Sequence, residues 1–225
     1  MTLSGRWRKY FDDVRTFPAA AALGWRRDRW HGLWDALAPR TVFRVFRAGR
    51  LVVYAQPVDA AREVPPPEGV RLAPLSRTDW PALAAVLDAR ALERFHILVD
   101  NGHHCVLAWR GARPVGYAWV AIHMDRAVSH CDLPLPSHAA YLWDLYVVPE
   151  ERNSGIGSAL ASARLRLARK LGRREGWRMI TGSNRASLRT LSKSGDGTRV
   201  AGEIRFLKLL SHMRSEFRPA AAEAR

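Results

Sequence analysis

The segment "YLWDLYVVPEERNSGIGSAL", residues 141–160, decides how this chain is read. Its first eight residues are nearly all bulky and apolar, which makes them the strongest strand candidate in the sequence. Pro149 ends that strand at a place where no ladder hydrogen bond is needed. Beyond the glycines, Ile156, Leu160, Ala163, Leu167 and Leu171 recur at steps of 4, 3, 4 and 4, the stripe of a helix facing a core. The first turn of such a helix leaves N–H groups without partners, and the macrodipole makes it positive. Gly155 and Gly157 let the backbone approach a ligand, and Arg152 adds a charged donor. A strand feeding this turn therefore makes a cradle for phosphates from Arg152, Asn153, Ser154, Gly155, Ile156, Gly157 and Ser158. An ordinary tight turn is the competing reading. Leu160 breaks a G-x-G-x-x-G pattern and no Gly-Lys-Ser/Thr follows, so a dinucleotide or Walker-type site is not expected.

Composition bounds the rest. With 225 residues, 48% of them apolar, the chain can bury a real core. The net charge of +15 is uneven: +7 over residues 1–50, −3 over 51–150 and +11 over 151–225. The glycine turn thus opens the most cationic third, a field that attracts anions without choosing among them. Two cysteines, Cys105 and Cys131, make no disulfide framework, and a reducing cytoplasm is the expected location. The apolar run "FPAAAALGW" is too short to span a bilayer and lacks the form of a signal peptide.

Outward from the central segment, residues 1–40 read as irregular helices rich in Trp and Arg. "TVFRVFRAGRLVVY" reads as a hairpin turning at Ala48-Gly49. "REVPPPEG", residues 62–69, is a proline-stiffened joint and the expected boundary between an extension, 1–68, and a core domain, 69–212. "VRLAPL" reads as a strand, followed by a helix capped by Ser76 or Thr78 with Pro81 in its first turn. A second helix spans about Ala89–Val99 and ends at Asn101-Gly102. "HCVLAWRGARPVGYAWVAI" reads as a hairpin about Arg110-Gly111. Residues 123–140 form a long loop, a length that in compact domains is often functional. "WRMITGS" is a strand, "ASLRTLSKSG" a helix ended by Gly195, and "TRVAGEIRFLKLL" a closing hairpin through Ala201-Gly202. Residues 213–225 read as a tail, frayed over "RPAAAEAR".

In that order the pieces resemble the GCN5-related N-acetyltransferase (GNAT) family. "YLWDLYVVPEERNSGIGSAL" is similar to its central strand, Arg/Gln-x-x-Gly-x-Gly/Ala turn and helix, with Arg152, Gly155 and Gly157 in the motif positions. "VRLAPLSRTDWPAL", "RGARPVGYAWV" and "SNRASLRTLSKSG" resemble its opening strand and helix, its second-to-third strand hairpin and its Asn-x-x-Ser helix, here Asn184 and Ser187. The resemblance covers about residues 69–210. It implies an α/β (α+β) fold with a mixed, mostly antiparallel sheet whose central strands splay, flanked by helices. It also implies an acyl-coenzyme A cosubstrate such as acetyl-CoA. The diphosphate would lie on the Arg152–Ser158 amides, and the pantetheine arm beside Tyr146, Val147 and Val148, within reach of Asn184 and Ser187. An N–H near Val147 would polarise the thioester carbonyl.

Amine acylation needs a proton acceptor. Asp144, an acid within an apolar strand, is the leading candidate, since a carboxylate there is costly unless used or paired. It reads equally as a strand-end aspartate that pairs with an arginine or caps a loop. In polyamine-acetylating relatives the stretch reads Leu-Glu-Asp; here it is Leu142-Trp143-Asp144, one acid fewer. Glu150 is a second candidate, more readily solvated. Many relatives protonate the leaving thiolate with a tyrosine seven residues after the Asn, a position held here by Leu191. Tyr146 and Tyr117 are the substitutes, and water is another. Asn184 reads both as a pantetheine partner and as a helix N-cap. No zinc-ligand spacing appears among His103, His104, Cys105, His130 and Cys131, so no metal is expected. His123, His130 and His138, on or beside the long loop, read as surface residues or as the lining of an acceptor pocket.

The resulting expectation is an N-acyltransferase acting on a primary amine of a small molecule, in monomeric or homodimeric form. The alternative is a catalytically impaired module that binds acyl-CoA or, through its basic surface, nucleic acid. No RNA-reading aromatic motif or recognition helix supports the nucleic-acid partner. Membrane association would have to come from the basic, Trp-rich start.

Overall fold

The computed structural model describes residues 46–129, 131–193, 196–209 and 212–220. The expected N-terminal helices, the first half of the N-terminal hairpin, His130, the helix stop at Gly195 and the last five residues of the tail lie outside these. The chain divides into two compact units, residues 1–49 with 205–216 and residues 50–204 with 217–225.

Eight strands form one sheet: β1 (Phe46–Pro57), β2 (Val70–Pro74), β3 (His104–Arg110), β4 (Arg113–Ala121), β5 (Ala139–Val147), β6 (Glu175–Ile180), β7 (Arg199–Leu209) and β8 (His212–Pro219). Their order across the sheet is β2-β3-β4-β5-β6-β1-β7-β8. β2 through β5 run antiparallel, β5 and β6 run parallel, and β6 and β1 run antiparallel. Four α-helices accompany them: α1 (Trp80–Ala84), α2 (Ala89–Asp100), α3 (Ile156–Lys170) and α4 (Arg185–Lys193). This is the mixed α/β architecture expected from the sequence.

Local chemistry accounts for the helix ends. Asp88 accepts a hydrogen bond from the Ala91 amide at 2.7 Å and so caps α2. Gly102, at φ +78°, lets the chain reverse after it. Apolar periodicity then assigns faces. Leu83, Phe95 and Leu98 from α1 and α2 pack on Leu107, Trp119, Tyr141 and Trp143, one side of the sheet. Ile156, Leu160 and Ala163 of α3 pack on Val106, Val115 and Val147, and Leu165 and Ala168 pack on Ala140 and Leu142. The proline-rich joint is held against α3: buried Ser162 donates to the Arg62 carbonyl at 2.9 Å and accepts from the Val64 amide at 3.2 Å. On its N-terminal side, Val52–Pro57 of β1 pair residue by residue with β6.

Three expectations fail at the edges. Ala48-Gly49 is not a turn, since β1 runs straight through it. Ala201-Gly202 is not a turn either, since β7 continues to Leu209. Both glycines make room for aromatic rings instead. A Cβ on Gly49 would lie 2.7 Å from the Phe206 ring, and one on Gly202 would lie 2.7 Å from the Phe217 ring. The third is the tail, which is strand β8 over His212–Pro219. There, Phe217 faces Trp177 at 6.3 Å between ring centroids.

Candidate active site

Two irregularities in β5 build the site. The first lies on its β4 side. Tyr117 pairs with Tyr146 and Trp119 with Trp143, so Ala118 alone faces both Asp144 and Leu145. This is a β-bulge, and Asp144 takes a positive φ of 41° within it. The second lies on the β6 side. β5 and β6 pair only over Ala139–Tyr141 and Glu175–Trp177. Beyond these the strands part, although β5 continues for six more residues. The splay expected from the resemblance is therefore present.

The gap opens into a cleft of about 230 Å³, lined from β5 by Tyr141 to Leu145, from β6 by Arg178 to Ile180, and from the helices by Arg164, Ala186, Ser187 and Thr190. Asp144 and Ser187, both singled out in the sequence, meet here. Backbone alternation sets what β5 offers to the gap. Val148 donates to the Val115 carbonyl on the β4 side at 3.0 Å. Its neighbour Val147 therefore turns its N–H and C=O toward β6. Arg152 Nε donates to that Val147 carbonyl at 3.1 Å, and its guanidinium lies 5.8 Å from the Tyr146 ring.

At the end of β5 the chain makes a 3₁₀ turn over Pro149–Glu151, fixed by Arg110, whose Nε and Nη2 donate to the two Glu151 carboxylate oxygens at 2.6 and 2.8 Å. Asn153 and Gly155 both adopt positive φ, 63° and 93°. Arg152 N–H and Ser158 N–H bond backward to Pro149 and Gly155 carbonyls. The amides of Asn153, Ser154, Gly155, Ile156 and Gly157 have no backbone acceptor among the described residues. Five of the seven amides assigned to the cradle are thus available to a ligand. A Cβ on Gly157 would come no closer than 3.9 Å to Leu145 or Val147, so internal packing does not demand a glycine at that position.

Asp144 is half-buried and lies 3.9 Å from Arg94 Nη2, whose guanidinium also covers the Trp143 ring at 5.3 Å. Burial pushes its carboxyl above the ordinary value, with Arg94 pulling the other way. Tyr117 is pushed up by burial, and then by the Asp144 charge. Its ring stacks on Tyr146 at 5.5 Å, which places both substitute acids beside the bulge. Leu191 is buried, so that position supplies no hydroxyl. Asn184 Oδ1 accepts from the Ser187 amide at 3.0 Å, an N-cap for α4. Glu150 is exposed in the turn.

Sequence reasoning missed Arg94, Arg164 and Arg178. Arg94 follows Arg90 by one helical turn, and nothing in spacing marks one of them as the partner of Asp144. Arg164 belongs to a run of arginines that reads as a solvated face, yet it and Arg178 are buried at 6% and 3% exposure.

The loop before β5 is anchored by Asp125, which accepts from His103 Nε2 and Asn101 Nδ2, both at 2.9 Å, and from the Val128 amide. His103, His123 and Asp125 bring three potential ligand atoms within 4.8 Å of one another. The expected free cysteines are present, Cys105 buried and Cys131 half-buried. Among the described residues, no helix is long and apolar enough to cross a membrane.

Comparison with known proteins agrees with this geometry. A solved structure from Drosophila is similar at 16% identity and a TM-score of 0.53, covering 82% of this chain and 68% of that one. A protein of unknown function from Staphylococcus epidermidis gives 16% and 0.51, over 78% and 67%. The GCN5-related glucosamine N-acetyltransferase region of a fungal multi-domain GH3 β-N-acetylglucosaminidase gives 13% and 0.52, over 71% of this chain and 21% of that one. The present chain thus spans about a fifth of the fungal protein. No protein of curated function matches the sequence. The profile of the Acetyltransferase (GNAT) family matches residues 70–195, more than half of the chain and all of the site just described. The chain therefore belongs to the GNAT acetyltransferase family, whose members use acyl-coenzyme A as cosubstrate.

Proposed function

We propose that the protein transfers an acyl group, acetyl in the simplest case, from coenzyme A to a primary amine of a small molecule. The observation that carries this reading is the parting of β5 from β6 immediately before five unbonded amides. The diphosphate would sit on the Asn153–Gly157 amides, with the pantetheine arm in the gap beside Tyr146, Val147 and Val148 and near Asn184 and Ser187. The Val147 N–H, turned toward the gap, would polarise the thioester carbonyl. The amine nitrogen attacks that carbon, a C–N bond forms, the C–S bond breaks, and the amine proton passes to Asp144. Its raised proton affinity suits a base. The departing thiolate takes a proton from Tyr146, Tyr117 or water.

The competing reading is a module that binds acyl-CoA without turnover, favoured by the buried Leu191 in the place of the usual tyrosine. Calorimetry with coenzyme A, paired with thiol release from acetyl-CoA across a panel of amines, separates them. Heat with release supports the transferase, heat without release on any amine supports the module, and absence of heat rejects both.

A further inference from the structure

We propose that the inner end of the β5–β6 cleft binds a carboxylate between Arg164 and Arg178, so that either the transferred acyl group or the acceptor carries one. This rests on the acyl-transfer reading of the same cleft. Arg164 projects from α3 and Arg178 from β6, and both line the cleft together with Asp144 and Ser187. Arg164 is 6% exposed, its Nε has no hydrogen-bond partner, and its Nη1 reaches only the Trp143 carbonyl at 3.5 Å. No carboxylate of the described residues lies within ion-pair distance of it. Arg178 donates through Nη2 to Gln56 Oε1, a neutral acceptor, at 3.1 Å. Burial, and then the like charge of Arg178, hold the Arg164 guanidinium well below its usual value, and burial brings Arg178 down to about 10. Both still carry charge at neutral pH, and a buried pair of like charges is costly unless an anion joins it.

Nothing already placed in the site supplies that anion. Asp144, the one acid lining the cleft, is drawn to Arg94 rather than to these two. The coenzyme's diphosphate would lie at the start of α3. Arg164 is eight residues further along, about 12 Å at the rise of an α-helix. The pantetheine arm is neutral. What remains is the acyl group or the acceptor. Two guanidinium forks fit a planar carboxylate, which each can hold through paired N–H donors.

The test uses the full-length protein, with calorimetric affinities and turnover measured for two pairs of ligands. One pair is acetyl-CoA against succinyl-CoA, and the other, with acetyl-CoA as donor, is an α-amino acid against its carboxamide. A preference for the carboxylate of about tenfold to a hundredfold is expected in one pair, and which pair shows it identifies the source. Arg164→Met, which keeps length and apolar packing, is expected to abolish the preference while leaving the affinity for free coenzyme A within about twofold. Arg164→Lys should restore part of the preference. If coenzyme A binds but neither pair differs, or if the preference survives in Arg164→Met, the carboxylate site is wrong and acyl transfer stands. If coenzyme A does not bind, both fall.

Discussion

Asp144 carries a positive φ, a half-buried carboxylate and an ion pair at the outer limit of contact, three costs in one residue. The sequence marks it only as an acid in an apolar run. Its arginine partner, offered as an alternative to a catalytic role, is real, and a base with a pairing partner still accepts protons. Asn also accepts left-handed backbone, so Asp144→Asn is expected to fold, and to lose about 10²- to 10⁴-fold in kcat/KM. The wild-type profile should rise with pH through a midpoint above the ordinary carboxylate value, because only the ionised form accepts the proton. That limb should vanish in the variant, while any limb from the amine persists. Stability carries the opposite sign. A raised folded value means that the folded state favours the proton, so the ionised carboxylate costs stability at neutral pH, and a cost that grows with pH across that interval. Asp144→Asn should therefore melt no lower than wild type at pH 7. Gly157 gives the complementary test. Its helical position has space for a methyl group, so Gly157→Ala is expected to hold or raise stability by about 0.5–1 kcal/mol. It should still weaken coenzyme A binding about tenfold or more, read by calorimetry.

Among the elements, those with strong periodicity and clear punctuation were legible: α2, the β3–β4 hairpin, β5, α3 and its glycine turn. The glycines of the outer strands were not. A glycine between apolar runs reads as a turn, but Gly49 and Gly202 are strand residues covered by rings from other strands, which no local pattern reveals. Gly202→Val should accordingly destabilise the protein by about 1–3 kcal/mol in chemical denaturation, because Phe217 has nowhere to move without disturbing the strand. The loop before β5 looked structureless in sequence, yet Asp125 pins it. Burial raises the Asp125 carboxyl, but bonds from His103, the Val128 amide and Asn101 outweigh it and hold it below the ordinary value. Its contribution is present above the unfolded carboxylate value and is lost as pH falls through the lower folded one. Amide exchange in residues 122–138 should quicken over that acidic window in wild type, and Asp125→Ala should show quick exchange at neutral pH already.

For the molecule as a whole, the family was legible because its signature is an order of elements rather than any one residue. The acceptor was not, because buried arginines and solvated ones look alike until the chain is folded. Net charge of +15, with +11 beyond residue 150, predicts coenzyme A affinity that falls as salt rises, a decline measurable by titration between low and physiological ionic strength. The bulge in β5 has a consequence for how such a site arises. Ala140 and Leu142 point to α3, and so does Val147, an odd step that is accommodated only by a surplus residue between them. A chain shortened by Asp144 would bring the strand back to simple alternation with every later side chain on its present side. The core would not register the loss; the reactive cleft would. In this protein the difference between an inert sheet and one with chemistry is a single inserted amino acid.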